Sequence, residues 1–350
     1  MEFTGPYRIN GSSYTRSELI DFCRHSAIDP LGEEWYRDLF RFILRFMEET
    51  SGPILQQSSG TTGDPKTFSL ERRAMIQSAR RTLSYFNLQP GEKTLLSLPV
   101  DYVAGKMMVV RALVGGLDLV TVKPSSRPLT GISEAFSFAA MVPMQVYESL
   151  KSGDDLSLVN MLLVGGGELH PSIRARLVES DRPAVYESFA MTETYTHFAI
   201  RQINGSAPED AFRLLEGVTV DTDERGCLVV DVPGVTKGPV VTNDLVEIEG
   251  NGLGFRWLGR ADHVINTGGI KVIPELLEQL IGEWLQATCL LLPQPDKKLG
   301  QRLVLMVEWP SQDAPLDRWM ELLSGHLSPH EVPKQIIPVK KIPRNTNFKP

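Results

Sequence analysis

The chain has 350 residues, 42% of them hydrophobic and 23% charged, which are the proportions of an ordinary soluble globular protein. This length predicts two or three domains, or one large domain with a small one. Acidic residues outnumber basic ones by 43 to 36, giving a net charge of −7. This negative charge argues against a general nucleic-acid-binding protein. It is compatible with a local basic site that binds an anionic ligand.

Three cysteines, Cys23, Cys227 and Cys289, lie far apart in the sequence and show no metal-ligand spacing. We therefore expect no disulfide framework and no structural zinc, but buried or partly buried free thiols in a reducing cytoplasm. The first ten residues lack the basic patch and apolar core of a signal peptide. No apolar run approaches the roughly 20 residues that a membrane span needs. These features predict a cytoplasmic protein without a membrane span.

Two amphipathic helices are predicted first. Residues 33–49 place apolar side chains on one helical face, and residues 70–88 repeat the pattern before Pro90 and Gly91 end it. Strand-like apolar runs then alternate with helix-like segments. The runs are residues 94–100, 117–122, 136–142, 160–164 and 183–190, and the helices lie near 105–115, 143–152 and 171–180. This alternation predicts an α/β fold with a mostly parallel sheet covered by helices on both faces.

The pattern changes in the last part of the chain. Short strands and turns over about 196–259 predict an antiparallel β subdomain. A small α+β domain is then predicted from a helix, two strands, a helix and a strand at residues 274–286, 288–293, 302–309, 316–327 and 335–340. We expect a large domain over residues 1–259 and a small mobile domain over residues 260–350, joined by a tight hinge.

The stretch QQSSGTTGDPKT at residues 56–67 combines glycines, hydroxyl side chains and a lysine. Glycines let backbone N–H groups approach phosphate oxygens, and Ser, Thr and Lys side chains add donors and positive charge. A P-loop of the G-x-x-x-x-G-K-[ST] type is excluded, because Pro65 stands at the second glycine position and lacks an N–H donor. Taken alone, the stretch could also be a Gly/Thr-rich turn or linker.

Residues 58–66, SSGTTGDPK, resemble the phosphate-binding signature of the adenylate-forming superfamily, which includes acyl-CoA synthetases, firefly luciferase and peptide-synthetase adenylation domains. Further segments resemble the superfamily's motifs in the expected order. They are GGGE at 165–168, FAMTE at 189–193, TND at 242–244, GRADHVINTGGIK at 259–271 and IPRNTNFK at 342–349. Ordered matches over residues 58–349 make coincidence remote.

The resemblance implies a reaction in two steps. A carboxylate attacks the α-phosphate of ATP to give an acyl-adenylate and pyrophosphate, and a thiol, usually that of coenzyme A, then displaces AMP. An anion must approach a polyanion, so the site needs cations and donors where charge develops. The implied cofactors are ATP and Mg²⁺, with coenzyme A as co-substrate, and the implied partner is a small carboxylic acid.

The resemblance also assigns roles to the first group of residues. The β- and γ-phosphates would be held by Ser58, Ser59, Gly60, Thr61, Thr62, Gly63 and Lys66. Thr192 would donate to the α-phosphate, and Glu193 would bind Mg²⁺ through a hard carboxylate oxygen. The adenine would lie against Gly166, Gly167, Ser188 and Phe189. A solvated carboxylate is the alternative for Glu193, and a core ring is the alternative for Phe189.

A second group of residues follows residue 240. Asp244 would accept hydrogen bonds from the ribose hydroxyls, and Arg260 would reach the ribose or a phosphate. A turn aspartate and a surface ion pair are the alternatives for these two. Gly268, Gly269 and Lys271 would line the tunnel for the pantetheine arm of coenzyme A.

The resemblance places a hinge at Asp262 and the catalytic lysine at Lys349. Rotation at the hinge would bring Lys349 to the α-phosphate and the substrate carboxylate in the first step, and residues 267–271 to the site in the second. Without the resemblance, a lysine this close to the end of a chain is usually frayed and solvated.

Three segments resemble the short o-succinylbenzoate–CoA ligases of menaquinone biosynthesis: residues 98–113, 136–144 and 191–201. That acid carries a second carboxylate that is not activated. Candidate partners for this charge are Lys106, Arg111 and His197, and the guanidinium of Arg111 matches a carboxylate best. Tyr102 stands at the expected gate of the acyl pocket. Each of these side chains could instead be structural.

The sequence departs from the superfamily pattern at Ala190, Asn243 and Phe348, each of which replaces a usual glycine. Asn243 tolerates left-handed backbone, so we expect its turn to survive. Phe348 directly precedes Lys349 and therefore affects how that lysine can reach the active site. Open alternatives are a ligase for another aromatic or short acid, an adenylation module for a carrier protein, and a nucleotide-binding protein without turnover. The oligomeric state, including a homodimer, also stays open.

Overall fold

The computed structural model of the chain describes residues 5–48, 52–57, 67–167, 169, 171–205, 208–311 and 313–342. For Pro171, Ser172 and Thr192 it describes the backbone. The described residues form two compact units. The first draws on Met1–Glu168, Leu177–Thr219 and Asp231–Pro239, and the second on Leu169–Arg176, Val220–Val230 and Val240–Pro350. The predicted domain boundary near residue 260, and the mobility of the small domain, stay predictions.

The helices lie where apolar residues recur at helical spacing. They are α1 (Arg16–Ser26), α2 (Glu34–Met47), α3 (Arg72–Tyr85), α4 (Val103–Gly115), α5 (Pro143–Ser152), α6 (Pro171–Val178), α7 (Pro274–Leu285) and α8 (Leu316–His326). Each predicted helix is present, with its ends shifted by a few residues. Helix α1 was not expected, although Thr15 and Glu18 form a capping box at its start.

The strands follow the predicted runs. They are β1 (Tyr7–Ile9), β2 (Ser12–Tyr14), β3 (Ile54–Gln57), β4 (Thr67–Leu70), β5 (Lys93–Leu96), β6 (Asp118–Thr121), β7 (Phe136–Met141), β8 (Val159–Val164), β9 (Ala184–Ala190), β10 (His197–Gln202), β11 (Phe212–Leu214), β12 (Thr219–Thr222), β13 (Cys227–Asp231), β14 (Val240–Ile248), β15 (Gly254–Arg260), β16 (Ile265–Thr267), β17 (Ile270–Val272), β18 (Cys289–Asp296), β19 (Gly300–Glu308) and β20 (Gln335–Val339). Short strands that were not expected are β1 to β4 near the N-terminal side and the pair β16 and β17 before helix α7.

The first unit is built on a sheet with the strand order β11-β10-β9-β8-β7-β5-β6-β1-β2. The pairs that join β1, β6, β5, β7, β8 and β9 are parallel. Strands β10 and β11 continue the sheet in antiparallel pairing. Its central strands carry fully buried Phe138, Ala139 and Leu162, as expected of a parallel sheet. The predicted α/β class is confirmed.

The parallel strands bring several loops of the first unit to one edge of the sheet. Strands β5, β7, β8 and β9 run in the same direction, so the segments after their carboxyl ends are neighbours. Those segments include residues 97–102, 165–167 and 191–196. Ligands of open α/β sheets bind at this edge. The predicted adenine loop and the Thr192–Glu193 turn therefore lie on the side of the sheet where a site is expected.

The second unit contains two groups of strands. One has the order β12-β13-β14-β15, with β13, β14 and β15 in antiparallel pairing. The other has the order β17-β16-β19-β18, with β20 parallel to β19. Helices α7 and α8 bury Leu277, Ile281, Trp319 and Leu323 in one apolar core with Leu305 of β19. The α+β pattern expected from residue 274 onward is present.

Cys23, Cys227 and Cys289 are free and buried, as the sequence predicts. Burial raises the pKa of the Cys23 thiol to about 12, so it is protonated and unreactive at neutral pH. Within the described residues, no helix has both the length and the apolar character needed to cross a bilayer.

Candidate active site

The predicted adenine loop follows strand β8 and lies directly against β9. Gly166 has a φ of +83°, a backbone conformation that favours glycine. A Cβ added at Gly165 would lie 2.3 Å from Oγ of Ser188, so only glycine fits there without a shift. The Ser188 hydroxyl donates to the Val164 carbonyl at 3.2 Å. Ser188 therefore bonds the strand that carries the loop, and Gly167 follows within the same turn.

Phe189, the predicted adenine contact, is a half-buried ring at the end of β9. It meets Phe198 and Phe212 edge to face, with centroid distances of 5.6 and 5.1 Å. The guanidinium of Arg201 lies 4.5 Å from the Phe212 ring. These contacts fix the ring orientation of Phe189 while part of the ring stays accessible.

A 3-10 turn at Thr192–Thr194 follows β9. The buried hydroxyl of Thr194 bonds the backbone of Met191 and of Thr196, which ties both ends of the turn together. Tyr195 then adopts a φ of +62°, which is uncommon for a residue other than glycine. The result is a fixed turn that leaves the Glu193 side chain exposed.

Glu193 fits the metal role on chemical grounds. In the part of the chain that the structure describes, it forms no ion pair, and no three metal-ligating side chains lie close enough together to hold an ion. A metal bound by one carboxylate and by substrate oxygens suits Mg²⁺, which keeps several waters and needs few protein ligands. Glu193 could therefore hold Mg²⁺ together with nucleotide phosphates.

Lys106 lies on α4, buried on the side that faces β3. Its ammonium donates to the side-chain oxygen of Gln56 at 2.6 Å and to the carbonyl of Asp101 at 3.2 Å. It also lies 5.9 Å from the Phe42 ring centroid. Burial lowers the pKa of Lys106. The ammonium thus already has two protein acceptors, and Gln56 comes two residues before the predicted phosphate loop. Tyr102, at the start of α4, is 58% exposed.

Arg111 is the unusual side chain of α4. It is 3% exposed, and burial lowers its pKa to about 9, so the guanidinium is still charged at neutral pH. Its Nη2 lies 3.5 Å from Nδ1 of His197 and its Nη1 lies 3.5 Å from the sulfur of Met108. The Nε–H has no hydrogen-bond partner in the part of the chain that the structure describes. No carboxylate among the described residues pairs with this charge, although buried charges are almost always paired.

His197 begins β10 and is buried between Arg111 and helix α3. Its Nε2 lies 3.1 Å from the hydroxyl of Thr82, which itself donates to the Ser78 carbonyl at 3.2 Å. Burial and the nearby charge of Arg111 lower the pKa of His197 well below 6.5. The imidazole is therefore neutral at physiological pH. Thr82 was not singled out in the sequence, because nothing local in the sequence links it to position 197.

In the second unit, Asp244 is held by its neighbours in the β14–β15 hairpin. The indole N–H of Trp257 donates to Oδ1 of Asp244 at 3.1 Å, and the Asp244 amide donates to the Thr242 hydroxyl at 2.9 Å. Asn243 lies within strand β14 and needs no left-handed backbone there. Arg260 is opposite Asp244 in the ladder, with Nη1 3.9 Å from Oδ1.

Arg260 is bound to the predicted hinge residue. Its Nε and Nη2 donate to the two carboxylate oxygens of Asp262, each at 2.9 Å. This bidentate pair holds the pKa of Asp262 below its usual value. The hinge position is thus bonded to a side chain that the sequence assigns to the nucleotide.

The predicted pantetheine loop is a tight hairpin. Strands β16 and β17 are joined by Gly268 and Gly269, whose φ values are +61° and +85°. Two positive φ values in a two-residue turn match a type I′ hairpin, for which Gly-Gly is favoured. The Gly268 amide also donates to the Leu299 carbonyl at 2.9 Å. Lys271 is exposed on β17.

Some predicted residues lie outside the described part of the chain, and for Thr192 the backbone alone is described. The former are Ser58, Ser59, Gly60, Thr61, Thr62, Gly63, Lys66, Phe348 and Lys349. The structure brings together Gly166, Gly167, Ser188, Phe189 and the Thr192–Glu193 turn at one sheet edge of the first unit. It brings together Asp244, Arg260 and Asp262 in the second.

Comparison with known families decides the assignment. The family described as AMP-binding enzyme matches residues 50–238, more than half of the chain. The chain belongs to the AMP-binding enzyme family. The matched range contains the predicted phosphate loop, the adenine loop and the Thr192–Glu193 turn, so the family explains why these segments occur in this order.

Curated relatives of this AMP-binding enzyme include 2-succinylbenzoate–CoA ligases. That of Listeria monocytogenes is 24% identical over 84% of the chain and 68% of its own length. That of Salmonella typhimurium is 27% identical over 75% of the chain and 60% of its own length. The chain thus spans about two thirds of these relatives.

A solved structure matches the AMP-binding enzyme over nearly its whole extent. It is described as an acyl-CoA synthetase (AMP-forming)/AMP-acid ligase II-like protein from Dyadobacter fermentans. It is 32% identical, with a TM-score of 0.65, and the match covers 94% of this chain and 95% of that one. This similarity agrees with the family membership and the α/β fold.

Proposed function

We propose that the chain is an ATP-dependent acid–CoA ligase that activates o-succinylbenzoate. It would form the acyl-adenylate with release of pyrophosphate, and then transfer the acyl group to coenzyme A with release of AMP. Membership of the AMP-binding enzyme family and the names of the relatives support the reaction class. The observation that supports o-succinylbenzoate as the substrate is the buried guanidinium of Arg111, which lacks a carboxylate partner among the described residues.

Activation through AMP answers a chemical problem. Hydroxide is a poor leaving group, whereas AMP is a good one. A thiol therefore displaces AMP from the acyl-adenylate, although it would not displace hydroxide from the free carboxylic acid. In the first step a substrate oxygen attacks the α-phosphorus, the P–O bond to pyrophosphate breaks, and pyrophosphate leaves. In the second step the thiol sulfur attacks the acyl carbon and the C–O bond to AMP breaks.

Arg111 would bind the carboxylate that is not activated. The site supplies a charge that is buried, present at neutral pH and already desolvated, with an unbonded N–H. A carboxylate that reaches this guanidinium would pair with its charge and accept from the Nε–H. Hydrogen bonds to charged groups contribute about 1.5–3 kcal/mol each, and a bidentate guanidinium–carboxylate pair adds geometric selectivity. An acid with a second carboxylate is therefore favoured over one without it.

The remaining predicted residues would serve the nucleotide and the thiol. In the first unit, the Gly166–Gly167 turn and Phe189 would take the adenine, and Thr192 and Glu193 would take the α-phosphate and Mg²⁺. Bound Mg²⁺ would neutralise charge on the phosphates. Residues 58–66, with Lys66, are proposed for the β- and γ-phosphates.

In the second unit, Asp244 and Arg260 are proposed for the ribose and a phosphate. Lys349 is proposed for the first step, and the hairpin with Gly268, Gly269 and Lys271 for coenzyme A in the second. Rotation at Asp262 would exchange these two groups, which is a known way for one site to serve two reactions. The bond between Arg260 and Asp262 supports a link between the nucleotide and the hinge.

A pyrophosphate-release assay with ATP and Mg²⁺ tests the proposal. It compares o-succinylbenzoate with benzoate, succinate and a fatty acid, each with and without coenzyme A, and identifies products by mass. Release with o-succinylbenzoate, and its CoA thioester when coenzyme A is present, is the expected result. Release with a different acid alone would keep the chemistry and reject the substrate. Measurable ATP binding without release for any acid would instead indicate a nucleotide-binding protein without turnover.

A further inference from the structure

A buried chain of hydrogen bonds runs from helix α3 to helix α4 through His197. Its members are the Ser78 carbonyl, the Thr82 hydroxyl, the His197 imidazole and the Arg111 guanidinium. The three distances between successive partners are 3.2, 3.1 and 3.5 Å. Thr82 and Arg111 are 0% and 3% exposed, so water does not compete along the chain.

The two ends of the chain fix the position of every proton. The Ser78 carbonyl can only accept, so the Thr82 hydroxyl proton points to it, and the Thr82 oxygen is left to accept from His197. The guanidinium of Arg111 can only donate, so Nδ1 of His197 must accept. Both conditions require the same form of the ring, the neutral tautomer with its proton on Nε2.

The charged form of His197 does not fit this arrangement. An imidazolium would turn an N–H toward the N–H groups of Arg111 and would place two unpaired cations in contact in a buried site. Burial and the neighbouring guanidinium both raise the free energy of the imidazolium relative to the neutral ring. His197 therefore cannot share with Arg111 the task of neutralising a substrate carboxylate.

We infer that Thr82 and His197 are positioning residues that orient Arg111 toward the substrate. Thr82 selects the tautomer, His197 presents a bare Nδ1 to Nη2 of Arg111, and the Nε–H is left for the acid. The inference deepens the proposed function and rests on it for the identity of the acid. The proton arrangement itself is a property of the ligand-free protein, and it can be tested without any substrate.

The first test is ¹⁵N NMR of the imidazole nitrogens in protein labelled at histidine. The chain has 6 histidines, and comparison with His197→Asn identifies the signal of His197. We expect a protonated Nε2 and an unprotonated Nδ1 at pH 7. Protonation of Nδ1, or of both nitrogens, would overturn the inference whether or not the enzyme uses o-succinylbenzoate.

The second test is Thr82→Val, which keeps the side-chain shape and removes the hydroxyl. The tautomer preference should weaken, and the KM for o-succinylbenzoate should rise about tenfold while the KM for ATP is unchanged. His197→Asn, which keeps an acceptor for Arg111, should retain more affinity for the acid than His197→Leu, which keeps none. Equal KM values for these two variants would count against the positioning role.

Thr94→Val is the matched control. Thr94 is 1% exposed, and its hydroxyl donates to the Phe138 carbonyl at 3.0 Å, so the same substitution removes a buried bond of the same kind. It should lower stability about as much as Thr82→Val and leave the His197 signal and the KM for the acid unchanged. If both variants raised that KM equally, the effect would be general loss of stability and the inference would be wrong.

Discussion

Lys106 and Gln56 join helix α4 to strand β3 through a hydrogen bond of 2.6 Å between two buried side chains. Gln56 also donates to the Asp101 carbonyl at 2.8 Å, and Lys106 reaches the same carbonyl at 3.2 Å. Strand β3 ends at Gln57, directly before the predicted phosphate loop. The end of strand β3 is therefore tied to the helix that carries Arg111.

Lys106→Met tests this link. Loss of the ammonium removes its hydrogen bond to the side-chain oxygen of Gln56 and one of the two hydrogen bonds to the Asp101 carbonyl, so the free energy of unfolding should fall by about 1–3 kcal/mol. The KM for ATP should rise several-fold, more than the KM for the acid. Denaturant unfolding and steady-state kinetics measure the two effects.

Lys93→Met is the control for Lys106→Met. Lys93 forms a surface ion pair with Glu134, so its loss should change the free energy of unfolding by less than about 1 kcal/mol. A larger change in the KM for the acid than for ATP would contradict the expectation.

Arg111→Met should remove discrimination for the second carboxylate. The KM for o-succinylbenzoate should rise at least about tenfold, since hydrogen bonds to a charged group contribute about 1.5–3 kcal/mol. The free energy of unfolding of the ligand-free protein should stay equal or rise by about 1 kcal/mol, because the variant removes a buried charge that no described carboxylate pairs with. Arg24→Met, which removes an exposed cation, is the control. An unchanged KM for o-succinylbenzoate in Arg111→Met would show that Arg111 does not bind the second carboxylate.

Trp257→Phe should weaken nucleotide binding. The variant keeps an aromatic ring and loses the N–H that holds Asp244, so ATP affinity measured by calorimetry should fall about fivefold, as expected for about 1 kcal/mol. Trp35→Phe is a matched control, because the buried indole nitrogen of Trp35 has no hydrogen-bond partner among the described residues. Equal affinities for the Trp257→Phe and unmodified proteins would show that Asp244 does not depend on the indole.

Gly165→Ala should disturb the predicted adenine loop. The new methyl group would lie 2.3 Å from Oγ of Ser188, so loop or strand must shift, and both stability and ATP affinity should fall. Ser188→Ala removes the oxygen and leaves Cβ at 3.7 Å, an ordinary contact. The double variant should therefore recover much of the loss. A double variant no better than Gly165→Ala would mean that another contact excludes the side chain.

Stability should depend on pH through His197. Its pKa in the folded chain is well below 6.5, whereas the unfolded chain has the ordinary value near 6.5. Below about pH 6.5 the unfolded state binds a proton that the folded state does not, so the free energy of unfolding falls as pH is lowered from that value. His197→Asn should reduce this slope, as measured by urea unfolding between about pH 5 and 7. An identical slope in both proteins would exclude His197 as its source.

Much of the fold follows from local pattern. Runs such as residues 160–164 and 117–122 are apolar, β-prone and flanked by helical segments, and each forms a strand of the parallel sheet. Strands β1 and β2 are three residues each and were not expected, since so short a stretch has no readable period. The capping box at Thr15 and Glu18 was a readable signal for α1.

The site was only partly predictable, for physical reasons. A motif locates Glu193 and Asp244, because the residues of a turn or a hairpin are close in sequence. It does not reveal Thr82, which is 115 residues from His197 and meets it only when the sheet forms. Lys106 looked like a substrate cation by charge alone. Its partners Gln56 and Asp101 are known only from the packing of α4.

No carboxylate in the described ranges pairs with the buried charge of Arg111, so the ligand-free protein should be less stable than a state in which that charge is matched. Any acid that supplies the missing carboxylate should therefore raise the melting temperature, by linkage between binding and folding. At a ligand concentration of 100 times Kd the gain is about 2.7 kcal/mol. Candidate acids can thus be ranked by thermal shift alone, with Arg111→Met as the blank, in a screen that needs no ATP, no coenzyme A and no turnover.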